Sequence, residues 1–147
     1  MTDPVKAVKD AYYNLLKDAG LNYNGSPVTA NVGAALKADG QYYLVISTAA
    51  MQNRPNKHVF THEVTVDVDI YTKQQLKSEN PFAAVDEIAQ QVLSAVLPSV
   101  GSTGLDYGAA FQENEVRCET SNYDVMTENN VYLISRKVRF IQILTQL

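Results

Sequence analysis

The segment from Phe60 to Tyr71, FTHEVTVDVDIY, constrains the fold more than any other part of the chain. Read with a period of two, it places Phe60, His62, Val64, Val66, Val68 and Ile70 on one side. Thr61, Glu63, Thr65, Asp67, Asp69 and Tyr71 fall on the other. Side chains alternate across a strand, and β-branched residues suit a pleated, half-buried surface, so this segment is expected to press one apolar face onto a core. Its other face is acidic and is expected to meet solvent, a partner or a lumen.

The elements around it can be placed by period and punctuation. Asp3 followed by Pro4 starts a helix, because the carboxylate caps free N–H groups and proline is tolerated at the first helical position. Val5, Val8, Tyr12, Leu15, Leu16 and Ala19 then recur at helical spacing until Gly20, which predicts a helix over 4–19. Asn24, Gly25, Pro27, Gly33 and Gly40 break up the next stretch, with a short extended piece at 28–32. Gln41–Thr48, QYYLVIST, reads as a strand apolar on nearly both faces. It forms a hairpin with the acidic strand through AAMQNRPNKH, a polar tip of about ten residues carrying Arg54 and Lys57, longer than ordinary hairpin loops.

Asn80 and Pro81 repeat the cap-then-proline pattern ahead of a second helix. Its stripe is Phe82, Val85, Ile88, Ala89, Val92, Leu93 and Val96, and it stops at Pro98 and Gly101. SVGSTGLDYG reads as a flexible connection to FQENEVRCETSNYDV. After the turn-like TENN comes a final strand, VYLISRKVRFIQILTQL, apolar enough on both parities to sit inside a sheet. The order helix, strand, strand, helix, strand, strand predicts one α+β domain over 1–147. In it a mainly antiparallel sheet carries both helices on one face, leaving the second face uncovered within a single chain.

The 147 residues suit one domain, and a net charge of −4 with a pI near 5.1 argues against wrapping nucleic acid, which needs clustered Lys and Arg. The largest basic grouping, Arg136, Lys137 and Arg139, is expected to pair with the acidic strand faces. A single cysteine, Cys118, rules out an intrachain disulfide and a cysteine zinc site, and it is expected to be an inert, semi-buried thiol. The N-terminus carries charges throughout, unlike a secretion signal, and no apolar run approaches the roughly 18 residues that cross a bilayer. A soluble cytoplasmic chain is expected.

Chemistry is sparse. His58 and His62 would lie roughly 13 Å apart along a strand, too far to share a metal, and His62 is expected to be a packed sheet residue. Glu63, Asp67 and Asp69 share one parity, on which neighbours such as Asp67 and Asp69 stand about 7 Å apart, with no nucleophile beside them. No nucleophile elbow or phosphate-cradling glycine loop occurs, and GSTG at 101–104 follows a helix instead of preceding one. No catalytic residue, metal or cofactor is expected.

Taken together, PVKAVKDAYYNLL, NYNGSPV, QYYLVIST, the long loop, HEVTVDVDIYT, FAAVDEIAQQVLSAVL and SRKVRFIQI resemble the tail terminator, or tail-completion, proteins of long-tailed bacteriophages. The resemblance implies small α+β subunits that form rings, commonly hexamers. Such a ring caps the head-proximal end of the tail tube and joins it to the filled head. Its implied partners are further copies of the chain, the tail tube protein and a head-completion or connector protein, in a virion assembled in the host cytoplasm. DNA would pass through without sequence-specific binding, and no membrane is involved. Tyr42, Tyr43, Arg54, Lys57, Glu63, Asp67 and Asp69 are the expected interface or lumen residues; carboxylates lining a channel would repel phosphate. The outline also fits other phage neck proteins, a small-ligand or peptide-binding module with an open sheet face, and, if polar groups converge around Asp67, Asp69 and Arg136, an enzyme.

Overall fold

The computed structural model describes residues 2–32, 41–55, 60–99 and 101–147, without the side chains at 49, 54 and 55. Helix α1, Pro4–Lys17, begins at Asp3, whose side chain accepts from the Val5 N–H at 2.9 Å, as the Asp-Pro pair predicted. Strands β1 (Asn22–Tyr23) and β2 (Ser26–Pro27) form a small hairpin turning at Asn24 and Gly25. The main sheet has five strands: β3 (Thr29–Val32), β4 (Tyr42–Pro55), β5 (Phe60–Gln75), β6 (Phe111–Glu128) and β7 (Val131–Gln146). Helix α2, Ala83–Val96, separates β5 from β6.

Their order across the sheet is β3-β4-β5-β7-β6, antiparallel except for the parallel pair β3–β4. β7 therefore lies inside the sheet, where its two-sided apolar pattern requires it to be. Both helices pack on one face, α1 over β3, β4 and β5 and α2 over β5 and β7. The alternation in β5 predicts this burial well. His62, Val64, Val66, Val68 and Ile70 are all 0% exposed, and the four aliphatic residues share one core with Val8, Tyr12 and Leu16 of α1 and Val85, Ile88 and Val92 of α2.

Several sequence expectations need correction. The extended piece at 28–32 is a true fifth strand, so the layer has five strands and not four. The polar tip of about ten residues is mostly strand: β4 runs on to Pro55 because β5 offers ladder partners as far back as Phe60, and only 56–59 remain between them, outside the described residues. Asn80 does not cap α2. Its carbonyl accepts from the Ala83 N–H, residues 81–82 form a turn, and Phe82 is the N-cap position with no side-chain capping bond. Phe60 is 57% exposed, because it sits at the far end of the strand, away from the cluster that buries Val64 to Ile70. The β6–β7 turn is made by Asn129 and Asn130, with φ of 49° and 62°, the paired left-handed conformation of a tight hairpin.

The GSTG segment is not a slack linker. Gly101 takes a φ of 76°, the Thr103 hydroxyl donates to the Val96 carbonyl at 2.9 Å, and Gly104 lies against α2. A Cβ at Gly104 would collide with the Ala95 carbonyl oxygen and stand 3.2 Å from Leu15 Cδ1. Gly104→Ala is therefore expected to lower stability by about 2 kcal/mol, the cost of forcing one methyl into a filled space. Urea denaturation of the variant beside the parent chain measures it.

Candidate functional site

The face of the sheet away from the helices carries most of the predicted site residues. β5 contributes Glu63, Asp67, Asp69 and Tyr71; β4 contributes Tyr43 and Val45; β7 contributes Ser135, Lys137, Arg139 and Ile141. Tyr42 belongs to the opposite parity. It is 7% exposed, packs edge-on to Tyr23 with centroids 5.6 Å apart, and is a core residue of the helix-covered face. Arg54 is placed in β4 opposite Thr61, but its side chain and the whole of Lys57 and His58 lie outside the described residues.

Register decides the electrostatics of this face. Asp67 stands directly opposite Arg139, and Asp69 opposite Lys137. The Arg139 guanidinium grips Asp67 with both prongs, Nε donating to Oδ1 at 2.7 Å and Nη2 to Oδ2 at 3.1 Å, while Lys137 Nζ lies 3.9 Å from Oδ2. Bidentate, charge-assisted pairs of this kind are the stronger sort. Asp67 is only 5% exposed, and its hydrogen bonds raise the pKa of Arg139. The acidic strand face is thus largely answered by cations of the same chain. Arg136 departs from the expected pairing. It lies on the helix side of β7, where it donates to Asp86 of α2 at 3.2 Å and stacks over Tyr123 at 5.2 Å.

Beside this ionic patch the Tyr43 and Tyr71 rings stack, with centroids 4.9 Å apart and planes 16° from parallel. They form one wall of a shallow depression of about 240 Å³ that also meets Lys73, Asp124, Met126 and Leu133. Its far side comes from β6, none of whose residues was expected at the site, although the alternation of β5 places Tyr71 on this face. Pairing between strands distant in sequence brings these residues together, and no single segment signals it.

Burial raises the pKa of Asp69, with Asp67 adding to the effect and Lys137 and Arg139 opposing it. Burial also raises that of Glu113 at the start of β6, partly offset by a hydrogen bond from the Tyr107 hydroxyl at 3.0 Å. A carboxyl whose folded pKa is raised gives stability that is present below its unfolded pKa and is lost as pH rises through the folded value. Asp69→Asn with Glu113→Gln is therefore expected to be more stable than the parent at pH 7. That advantage should shrink as pH falls into the carboxylate range, which urea midpoints measured at both ends would show.

His62 is fully buried in the sheet, its Nδ1 2.7 Å from Asn53 Oδ1 and its ring edge-on to Phe111. Cys118 is exposed on β6, less buried than expected, and partial desolvation raises its thiol pKa. Among the described residues, no group of three or more His, Cys, Asp or Glu side chains could hold a metal ion, and no helix is long and apolar enough to cross a membrane.

No protein-family model matches the chain, and no curated protein is similar to it in sequence. Its fold is similar to that of a chain in a solved structure of the virion of a native gene transfer agent particle. The TM-score is 0.68 at 12% identity, covering 98% of this chain and 99% of that one.

Proposed function

We propose that the chain is a structural protein of a phage-like virion, the subunit of a tail terminator ring that caps the tail tube and joins it to the head. The observation that supports this most is the likeness in fold, over nearly the whole of both chains, to a chain of a virion particle. The open sheet face agrees with it. Two helices cover one side of a five-stranded layer, and on the other side Tyr43, Tyr71, Met126 and Leu133 line an apolar depression beside a neutralised ionic patch. Unlike patches that meet around a closing rotation produce a ring, and the resemblance to tail terminator proteins implies a hexamer.

In this role the subunit has no substrate to turn over. The ring binds further copies of itself, the tail tube protein and a head-completion or connector protein, and DNA passes through it. The ionic patch fits such passage in a revised form: carboxylates already held by Arg139 and Lys137 present phosphate with little net attraction or repulsion, so DNA would slide without being held.

The mass of the purified protein in solution tests the proposal. A species close to six times the 16.2 kDa subunit, which blocks further growth of tail tubes when mixed with tube protein, is the expected result. A chain that stays monomeric at tens of micromolar, alone and with tube protein, would overturn it.

A further inference from the structure

We infer that the outer edge of β6, residues 120–128, adds to the opposite edge of the sheet of a second copy, along β4 beyond Ile46, so that one sheet continues from subunit to subunit. The inference rests on the proposed ring and names the surfaces that close it.

β6 is an edge strand of 18 residues. Its two irregularities fall early, between Glu113 and Glu115 and between Cys118 and Thr120; from Thr120 to Glu128 the register with β7 is unbroken. Proteins usually blunt such an edge with a bulge, a proline or a lysine. TSNYDVMTE contains neither of those residues, and no bulge interrupts it. The edge is also held in place from behind. The Tyr123 hydroxyl donates to Asp86 Oδ1 at 2.6 Å, and the Tyr123 ring meets Phe82 edge-on at 5.4 Å. Even so, Tyr123, Val125 and Met126 remain 50%, 45% and 58% exposed. An ordered edge without a bulge, proline or lysine that exposes three large apolar side chains is a template for another strand.

The complement lies at the other side of the same sheet. β3 pairs with β4 only from Tyr43 to Ile46, so among the described residues Ser47–Pro55 has no partner on its outer side. That stretch is nine residues long, with a bulge between Thr48 and Ala50 and a proline at its end, so the pairing surface centres on 50–54, where Met51 is 41% exposed. The two segments also differ in charge, since 120–128 carries Asp124 and Glu128 while 47–55 carries only Arg54. Pairing β6 with β6 of a second copy about the centre of 120–128 would set Asp124 against Asp124, an unfavourable cross-strand pair. Joining unlike edges avoids this clash and is the head-to-tail contact from which rings are built.

The test uses the full chain in a Cys118→Ser background. Asn122→Cys is combined in turn with Ala50→Cys, Met51→Cys and Gln52→Cys, and the assembled protein is oxidised with diamide. At least one pairing is expected to give a ladder of covalent oligomers on non-reducing gels, and each single-cysteine chain should give none. A second variant, Val125→Lys with Met126→Lys, changes only exposed side chains. It should keep the parent circular dichroism while weakening assembly by at least about tenfold. A ring-sized native mass with no ladder from any pairing, with dimers from Asn122→Cys alone, or with assembly unchanged by the lysines would overturn the edge contact and leave the ring standing. A monomeric parent chain with no ladder would overturn both.

Discussion

Gln142→Ala is expected to lower the unfolding free energy by about 3 kcal/mol, the sum of a cavity and a buried hydroxyl left without its partner. Gln142 lies on the helix-covered face of β7 between Phe140 and Leu144, and all three are 0% exposed. A glutamine there is tolerated because each end of its amide is engaged. The Tyr12 hydroxyl of α1 donates to Oε1 at 2.5 Å, and Nε2 donates to the Val64 carbonyl. Tyr12 is itself fully buried, with its ring 5.6 Å from that of Phe140, so the pair fixes α1 over the centre of the sheet. Removing the amide strands the Tyr12 hydroxyl in an apolar interior and takes one donor from the Val64 carbonyl. Gln142→Leu fills the cavity and should cost less, about 1–2 kcal/mol, as should Tyr12→Phe, which orphans only Oε1. In a double-mutant cycle the two positions should couple by about 1 kcal/mol. Additive losses in urea unfolding would show that the bond does not hold the helix in place.

Tyr12 and Gln142 also show where sequence reasoning reaches its limit. Helical spacing alone assigns Tyr12 to the core; Gln142 shares the parity of Phe140 and Leu144, but nothing local shows that its amide meets a partner there, and only the packing of α1 over the sheet supplies Tyr12. β5 was legible because its pattern is strict: five consecutive positions of one parity are fully buried. β4 was half legible. QYYLVIST is apolar on both parities, so nothing in it says that Tyr42 enters the core while Tyr43 faces out. AAMQNRP reads as loop because its residues are small or polar, and it is strand only because β5 supplies a ladder for it. On the open face, parity placed Asp67 and Asp69 correctly. The near-complete burial of Asp67 was not legible, since it depends on a pairing with Arg139 across 72 residues of chain.

That pairing leads to the second large effect. Arg139→Ala removes a guanidinium that is 36% exposed, and Lys137 stays 3.9 Å from Asp67, so the loss should be about 1–2 kcal/mol after allowance for solvent screening. Arg139→Glu should cost considerably more, about 3 kcal/mol, because it sets a new carboxylate directly opposite a nearly buried Asp67, close to Asp69 and Glu119. Adding Asp67→Arg restores one charge of each sign at the same register position and should recover a large part of the loss. Raising salt should narrow the gap between Arg139→Glu and the parent only modestly, since Asp67 is shielded from water and its ion pair is screened less than a surface pair. Urea unfolding at low and high salt would check both expectations. Failure of the swap to recover stability would mean that Asp67 is held by its burial and the surrounding sheet, and that the cross-strand ion pair does not set the electrostatics of this face.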